Sequence, residues 1–274
     1  GCCVCGNPLF QIRIRKKGTK DMLKIIMSGC NGKMGQVISR LVEEDPDAEI
    51  VCGVDINTGL NNPYPVVKSI DEYSGEADVI IDFSHPSALS GILSYCREKQ
   101  LPVVLSTTGY TAEQKQEFTD ASKDIPVFFS ANMSLGINLL ISLAKQAAKL
   151  LEGNFDIEIV ERHHNRKIDA PSGTALAIAD AIDESLSYPA EYVYDRHSVR
   201  RSRKPTEIGI SSVRGGTIVG DHEIIFAGND EVIELSHHAA SKEVFAVGAI
   251  KAAKFMKGKP AGMYDMNMLV NEMI

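Results

Sequence analysis

The run Glu161-Arg162-His163-His164-Asn165-Arg166-Lys167-Ile168-Asp169-Ala170-Pro171-Ser172-Gly173-Thr174 concentrates the chemistry of the chain. Two histidines, an arginine and a lysine fall within five residues, 163–167. A histidine such as His163 exchanges a proton near neutral pH. Lys167 brings a compact positive charge, with a second transferable proton where burial or neighbours favour its release. Pro171 interrupts the chain, and Ser172 reads as the cap of a new helix over Ala175 to Ile182. A helix start turns free backbone N–H groups and a positive dipole end towards an anion. Proton transfer to a small carboxylate-bearing molecule fits all of these parts. A solvated basic loop before an ordinary capped helix is the plain alternative. The order strand, cationic cluster, proline break, helix start favours the site.

These residues need a scaffold, and the first half of the chain reads as one. Leu23 to Ser28 is a short apolar strand. It runs into Gly29-Cys30-Asn31-Gly32-Lys33-Met34-Gly35 and a helix from Gln36 to Glu44, with Val37, Ile38, Leu41 and Val42 at helical spacing. The next strand, Ala48 to Val54, ends at Asp55, 20 residues beyond Gly35. Strand, glycine turn, helix and terminal acid together form the dinucleotide fingerprint in its proper setting. The first two glycines are spaced Gly-x-x-Gly, and Asn31 between them tolerates left-handed backbone better than most residues. A glycine turn used only for packing is the alternative. An acid at Asp55 accepts ribose hydroxyls and repels a 2′-phosphate, and Ile56 follows it where an arginine would welcome NADP. NADH is therefore the expected cofactor, with NADPH open because Lys33 can compensate in part.

Strand and helix then alternate. Strands are expected at Ala77 to Phe83, Pro102 to Leu105 and Val127 to Phe129, with helices to about Lys99 and Ser122. In an open parallel sheet the C-terminal strand ends form the ligand crevice. Ser106, Thr107, Thr108 and Gly109, and Ser130, Ala131, Asn132 and Met133, should line the nicotinamide side. His85, before a proline, reads as structural.

After a long amphipathic helix, Gly136 to Leu151, the style changes. Phe155 to Arg162 alternates and leads into the focal run. Glu207 to Val213, Thr217 to Ala227 and Val232 to Ser236 read as hairpin-linked strands separated by Gly215-Gly216 and Gly228-Asn229-Asp230. A mixed sheet with one face on a helix follows. Arg196 to Lys204 is a basic loop, either solvated or a lid that recruits an anion. His237-His238 reads as structural or supporting, with no metal. Lys242 to Lys257 is a last helix that should return to the first domain. The fold class is α/β: a Rossmann-type doubly wound parallel sheet plus a second α+β domain with a mixed sheet. The domains expected are 22–133 with 241–274 for the dinucleotide, and 134–240 for substrate and oligomerisation. Residues 1–21, rich in Cys and then in Lys and Arg, read as a leader or tag-like segment.

A net charge of −7 argues against nucleic acid as the main partner and against anionic membranes. No apolar run is long enough to span a bilayer. Cys30, Cys52 and Cys96 are scattered singly, as reduced cytosolic thiols are, so a cytoplasmic location is expected.

Taken together the motifs resemble the dihydrodipicolinate reductase family of the diaminopimelate route to lysine, from about Met22 to the C-terminus. His163 to Leu176 is the most specific element. Gly29 to Gly35, Asp82-Phe83-Ser84, Thr107-Thr108-Gly109, Val213 to Gly216 with Ile218 to His222, and Gly262 to Met266 support it. Ser106 and Met133 depart from the family pattern, which usually has Gly and Phe there. The resemblance implies hydride transfer from NAD(P)H to a cyclic imine dicarboxylate, followed by protonation. It implies His163 as proton donor and acceptor and Lys167 as a second donor. His164, Gly173 and Thr174 would hold substrate carboxylates. Gly29, Cys30, Asn31, Gly32, Lys33, Met34, Asp55, Ser106, Thr107, Thr108, Ser130, Ala131, Asn132 and Met133 would hold the dinucleotide. A homotetramer joined through the second sheet, and domain closure on substrate, are further implications. A cofactor-binding sensor without catalysis, or a two-domain dehydrogenase acting on a semialdehyde, are the competing classes.

Overall fold

The computed structural model describes residues 22–273; the expected leader at 1–21 lies outside them. The first strand, β1 (Leu23–Ser28), is followed by α1 (Lys33–Glu43), β2 (Ala48–Val54) and the short β3 (Val66–Val67). Then come β4 (Val79–Asp82), α2 (Leu89–Lys99), β5 (Val103–Leu105), α3 (Ala112–Ala121) and β6 (Pro126–Phe129). Much later β12 (Gly262–Tyr264) joins the same sheet. Its order is β12-β6-β5-β4-β1-β2-β3, and every pairing is parallel.

Alternation along β1 explains why both faces must be covered. Leu23, Ile25 and Met27 pack with Ile38 and Val42 of α1, while Ile26 packs on the opposite side with Leu93 of α2 and Phe118 of α3. Fully burying one such aliphatic side chain is worth roughly 1.5–3 kcal/mol. The last long helix, α6 (Glu243–Met256), returns to the first sheet as expected: Ala249, Ala253 and Met256 share the core of β1 and α1. The closing helix α7 (Met266–Met273) adds Met266 and Leu269 to that core. Cys30, Cys52 and Cys96 are buried free thiols.

The remaining elements build a second sheet. They are α4 (Leu135–Leu151), β7 (Asp156–His163), α5 (Gly173–Asp183), β8 (Glu191–Val193), β9 (Glu207–Arg214), β10 (Gly220–Ala227) and β11 (Val232–Ala239). The order is β11-β10-β7-β9-β8. One face carries Ile157, Ile159, Ile208, Ile210, Ile224 and Phe226 against α4 and α5. The sheet is mixed, as expected, but the chain of hairpins is not what forms it. Only β10 and β11 make a hairpin; β7 lies between β9 and β10, parallel to the first and antiparallel to the second. Gly215-Gly216 reverses the chain without pairing its flanks. It folds instead onto the end of β7, where Gly215 N–H donates to the His163 carbonyl at 2.9 Å and Asn165 N–H to the Gly216 carbonyl at 3.2 Å. A turn signal specifies reversal; which strand is neighbour depends on burial of the whole sheet.

The basic loop is largely exposed, as a solvated stretch is, and most of its charges are paired. Arg196 and Arg201 pair with Glu207, Arg203 with Asp156, and Lys204 with Glu191, along β7, β8 and β9. Its charges neutralise carboxylates of the second sheet. Among the described residues no helix is long and apolar enough to cross a membrane.

Candidate active site

The glycine turn after β1 is built for close approach. Gly29 has φ +77°, and a Cβ there would lie 2.5 Å from the Phe83 carbonyl oxygen. A Cβ at Gly35 would lie 2.1 Å from the Gly29 carbonyl oxygen, so only glycine lets α1 start this close to the turn. Asn31 is not left-handed; Gln100 is the one positive-φ non-glycine residue among those described. Asn31 serves differently: its N–H donates to Asp55 Oδ2 at 2.9 Å, and its side-chain oxygen accepts from Asn62 at 2.8 Å. Asn57 N–H fills Asp55 Oδ1 at 2.9 Å. Two backbone amides thus orient the carboxylate, and each oxygen keeps a lone pair for a ribose hydroxyl. Cys30 is fully buried, so its side chain has no surface to offer a cofactor. Lys33 is exposed at the first position of α1.

Gly29, Gly32 and Asp55 line one cavity together with Ile56, Lys68 and His85. Lys68 was not anticipated: it follows the short β3, whose register beside β2 brings it to the Asp55 cavity. His85 caps a 3₁₀ turn by accepting from Ser87 N–H at 3.2 Å, a structural role as expected.

Further along the rim, Met34, Ser106, Thr107, Thr108, Ser130, Ala131, Asn132 and Met133 line a second cavity. Buried Asp82 ties its strand ends together, accepting from Ser84 Oγ at 2.5 Å, Thr107 Oγ1 at 2.7 Å and Tyr110 Oη at 3.2 Å. Ser106 Oγ is buried and unpartnered in that lining, a polar atom awaiting a ligand. Met133 is buried in the core beside α6, where a Cβ at Gly248 would lie 1.7 Å from the Met133 carbonyl oxygen. The cradle, the oriented acid and the unpartnered hydroxyl fit a dinucleotide.

A third cavity, of about 420 Å³, opens from the second and shares Ala131, Asn132, Thr174, Lys242 and Phe245 with it. Here the focal run assembles. Alternation along β7 puts Glu161 and His163 on the helix-facing side of the sheet at the strand's end. His163 Nδ1 lies 2.6 Å from Glu161 Oε2. Lys167 closes a turn on the His164 carbonyl and pairs with Asp169 at 2.8 Å. The Ala170–Pro171 peptide is cis. Ser172 caps α5, accepting from Ala175 N–H at 3.1 Å, which leaves Gly173 and Thr174 at the open N-terminus. Asn132 Nδ2 donates to Thr174 Oγ1 at 3.1 Å, joining the two cavities' walls.

The electrostatics are cationic. Partial burial, followed by Arg166, Lys242, His163 and Lys167, holds His164 below the ordinary histidine range. Burial, then His163, depresses His222 to about 4, so its ring is neutral near pH 7. Burial would raise the Glu161 carboxyl, but Arg214, then His163, Ser212 and the Ser172 N–H, bring it down to about 2.

Expected residues His163, His164, Lys167, Gly173 and Thr174 all line this cavity. Sequence reasoning missed Arg214, His222, Lys242 and the part played by Glu161. It treated His237 and His238 as a pair, but strand alternation separates them. His237 lines the cavity, whereas His238 faces Asp221 at 3.4 Å. The period of two along β11 was the available signal.

A family model described as dihydrodipicolinate reductase, N-terminus, matches residues 23–133, and one described as dihydrodipicolinate reductase, C-terminus, matches residues 136–270. The chain belongs to the dihydrodipicolinate reductase family. It is 55% identical over 251 residues to a 4-hydroxy-tetrahydrodipicolinate reductase of Caldanaerobacter subterraneus subsp. tengcongensis, covering 92% of this chain and 99% of that one. A relative of the same name from Clostridium tetani is 52% identical over 250 residues, 91% of this chain and 98% of that one. Among solved structures, dipicolinate-bound dihydrodipicolinate reductase from Paenisporosarcina sp. TG-14 superposes with a TM-score of 0.75 at 25% identity, covering 91% of this chain and 99% of that one. As a member of this family the chain is an NAD(P)H-dependent oxidoreductase with a Rossmann-like sheet and a separate mixed sheet.

Proposed function

We propose that the chain reduces 4-hydroxy-tetrahydrodipicolinate, a cyclic imine dicarboxylate of the dihydrodipicolinate type, to tetrahydrodipicolinate in diaminopimelate and lysine biosynthesis. The observation that carries this reading is the shared wall between two cavities. One is lined by His163, Lys167 and the α5 N-terminus, the other by Ser106 to Thr108 and Ser130 to Met133. A ring held in the first cavity would lie next to a nicotinamide held in the second. The Paenisporosarcina relative holds dipicolinate, a ring dicarboxylate of the expected shape.

Bound in the glycine cradle and along that rim, NAD(P)H supplies the hydride. Gly29 to Met34 form the phosphate end, with Cys30 acting through its backbone, and Asp55 takes the ribose. His164, Gly173 and Thr174 hold the carboxylates, the last two through helix N–H groups. His163 then gives a proton to the reduced ring, and Lys167 is a second donor. Closure of the two domains, 22–133 with 241–274 against 134–240, excludes water from the hydride path. We further propose an NADH preference from Asp55, a cytoplasmic location, a homotetramer joined through the outer face of the second sheet, and no nucleic-acid or membrane partner.

The test couples the purified protein to the upstream synthase with pyruvate and aspartate semialdehyde, and follows oxidation of NADH and NADPH in parallel. Synthase-dependent oxidation, faster with NADH, is expected. Folded protein that binds NADH and oxidises neither cofactor would overturn the reading.

A further inference from the structure

We propose that Glu161 is the positioning residue of the proton-transfer step: it fixes the proton of His163 on Nδ1 and ties that ring to the helix start that holds the substrate. The proposal rests on the reductase reading above and adds to it a residue without a role there.

Glu161 has no solvent exposure. Its Oε1 accepts from Arg214 Nη2 at 2.7 Å and from Ser172 N–H at 3.1 Å. Its Oε2 accepts from Arg214 Nη1 at 2.7 Å and meets His163 Nδ1 at 2.6 Å. An ionised carboxylate only accepts hydrogen bonds, so at 2.6 Å the proton of that contact belongs to Nδ1. Nε2 is left as the atom that exchanges a proton with substrate. The ring's other side is kept open for it: a Cβ at Gly220 would stand 3.1 Å from Nε2. His222, edge-on with ring centroids 5.3 Å apart, directs its own Nε2 to Ser172 Oγ at 3.0 Å and does not compete for this role.

Proton balance follows. The imidazolium gives its Nε2 proton to the reduced ring and becomes neutral imidazole, and its Nδ1–H stays on Glu161. No proton passes to the carboxylate, which Arg214 keeps ionised. The bidentate guanidinium has a second effect. Arg214 Nη2 also donates to the Asp169 carbonyl at 2.7 Å, and Asp169 is the ion-pair partner of Lys167. One pair, buried Glu161 with half-buried Arg214, therefore references His163, the α5 N-terminus and the Lys167 turn to each other. An ion pair serving stability alone would need Arg214 and no contact with His163.

The test begins with the unmodified protein. Histidine-¹⁵N spectra, with His163→Asn to assign the signal, should show neutral His163 carrying its proton on Nδ1; a proton on Nε2 overturns the proposal. In Glu161→Gln the amide NH₂ can donate to Nδ1, so the tautomer should switch to Nε2–H. There kcat should fall by at least about 100-fold, within the usual worth of a positioned acid–base group, while NADH affinity stays within about twofold. A folded Glu161→Gln within about threefold of the parent kcat overturns the proposal. Should this variant not fold, the tautomer in the unmodified protein decides alone. That spectrum does not depend on the substrate, so an enzyme inactive on the cyclic imine would sink the reductase reading and leave this result standing.

Discussion

Single residues carry the sharpest expectations. His163→Gln and Lys167→Ala should each lower kcat by roughly 10²–10⁴-fold, the usual range for a lost proton donor, with NADH binding kept; stopped-flow binding and steady-state rates separate the two. Lys68 lines the Asp55 cavity and no hydrogen bond or ion pair engages it among the described residues. Its ammonium suits a 2′-phosphate, so Lys68→Ala should raise the KM for NADPH several-fold and leave that for NADH unchanged. An unchanged NADPH KM would remove Lys68 from the ribose site. His222 bears on stability. Its folded-state pKa is depressed from 6.5 to about 4, first by burial and then by His163. Between those values the unfolded chain binds a proton that the native ring does not. Stability therefore falls as pH drops from about 6.5 to about 4, by up to about 3 kcal/mol. Urea unfolding at pH 7 and pH 4.5 should show that loss, and His222→Gln should remove its share of the slope. Residue types in the focal run showed what chemistry was on hand. They did not show Glu161 beneath His163, because a buried carboxylate and a solvated one look alike in a sequence.

At the scale of elements, helix starts and strand ends do the positioning. The α1 start depends on Gly35, whose added Cβ would strike the Gly29 carbonyl at 2.1 Å. Gly35→Ala should force the turn open and weaken NADH binding by an order of magnitude or more while the second sheet stays folded; calorimetric titration with NADH checks it. The elements of the parallel sheet were legible because alternation, glycine turns and helical spacing are local signals. Edge strands β3, β8 and β12, two or three residues long, carry too little pattern to be read. The neighbour of β9 was misread for another reason. Pairing of β7 between β9 and β10 joins segments more than 40 residues apart, and no turn residue encodes it.

For the whole molecule, function depends on how two sheets face each other. Asn132 on one side and Thr174 on the other meet at 3.1 Å, and Lys242 lines both cavities. The outer face of the second sheet presents Val160 opposite Ser211 and Glu223. With that face as the oligomer interface, light scattering should give about four times 29.8 kDa for the parent. Val160→Glu should shift it towards smaller species, because an added buried charge at an interface is strongly unfavourable. A parent that runs as a monomer would remove the tetramer.

The sequence by itself determined the two-sheet architecture, the dinucleotide turn with its acid, and side chains that line the third cavity. Each is written in short-range pattern: strand alternation, helix spacing, glycine punctuation and the signature from His163 to Leu176. Tertiary structure alone decided what lies under and beside them. Arg214 reaches Glu161 from 53 residues away, His222 reaches Ser172 from 50, and β3 carries Lys68 to the Asp55 cavity. The reason is physical: ion pairs, ring contacts and tautomers depend on distances that exist only once the core is packed, and packing is a property of the whole chain.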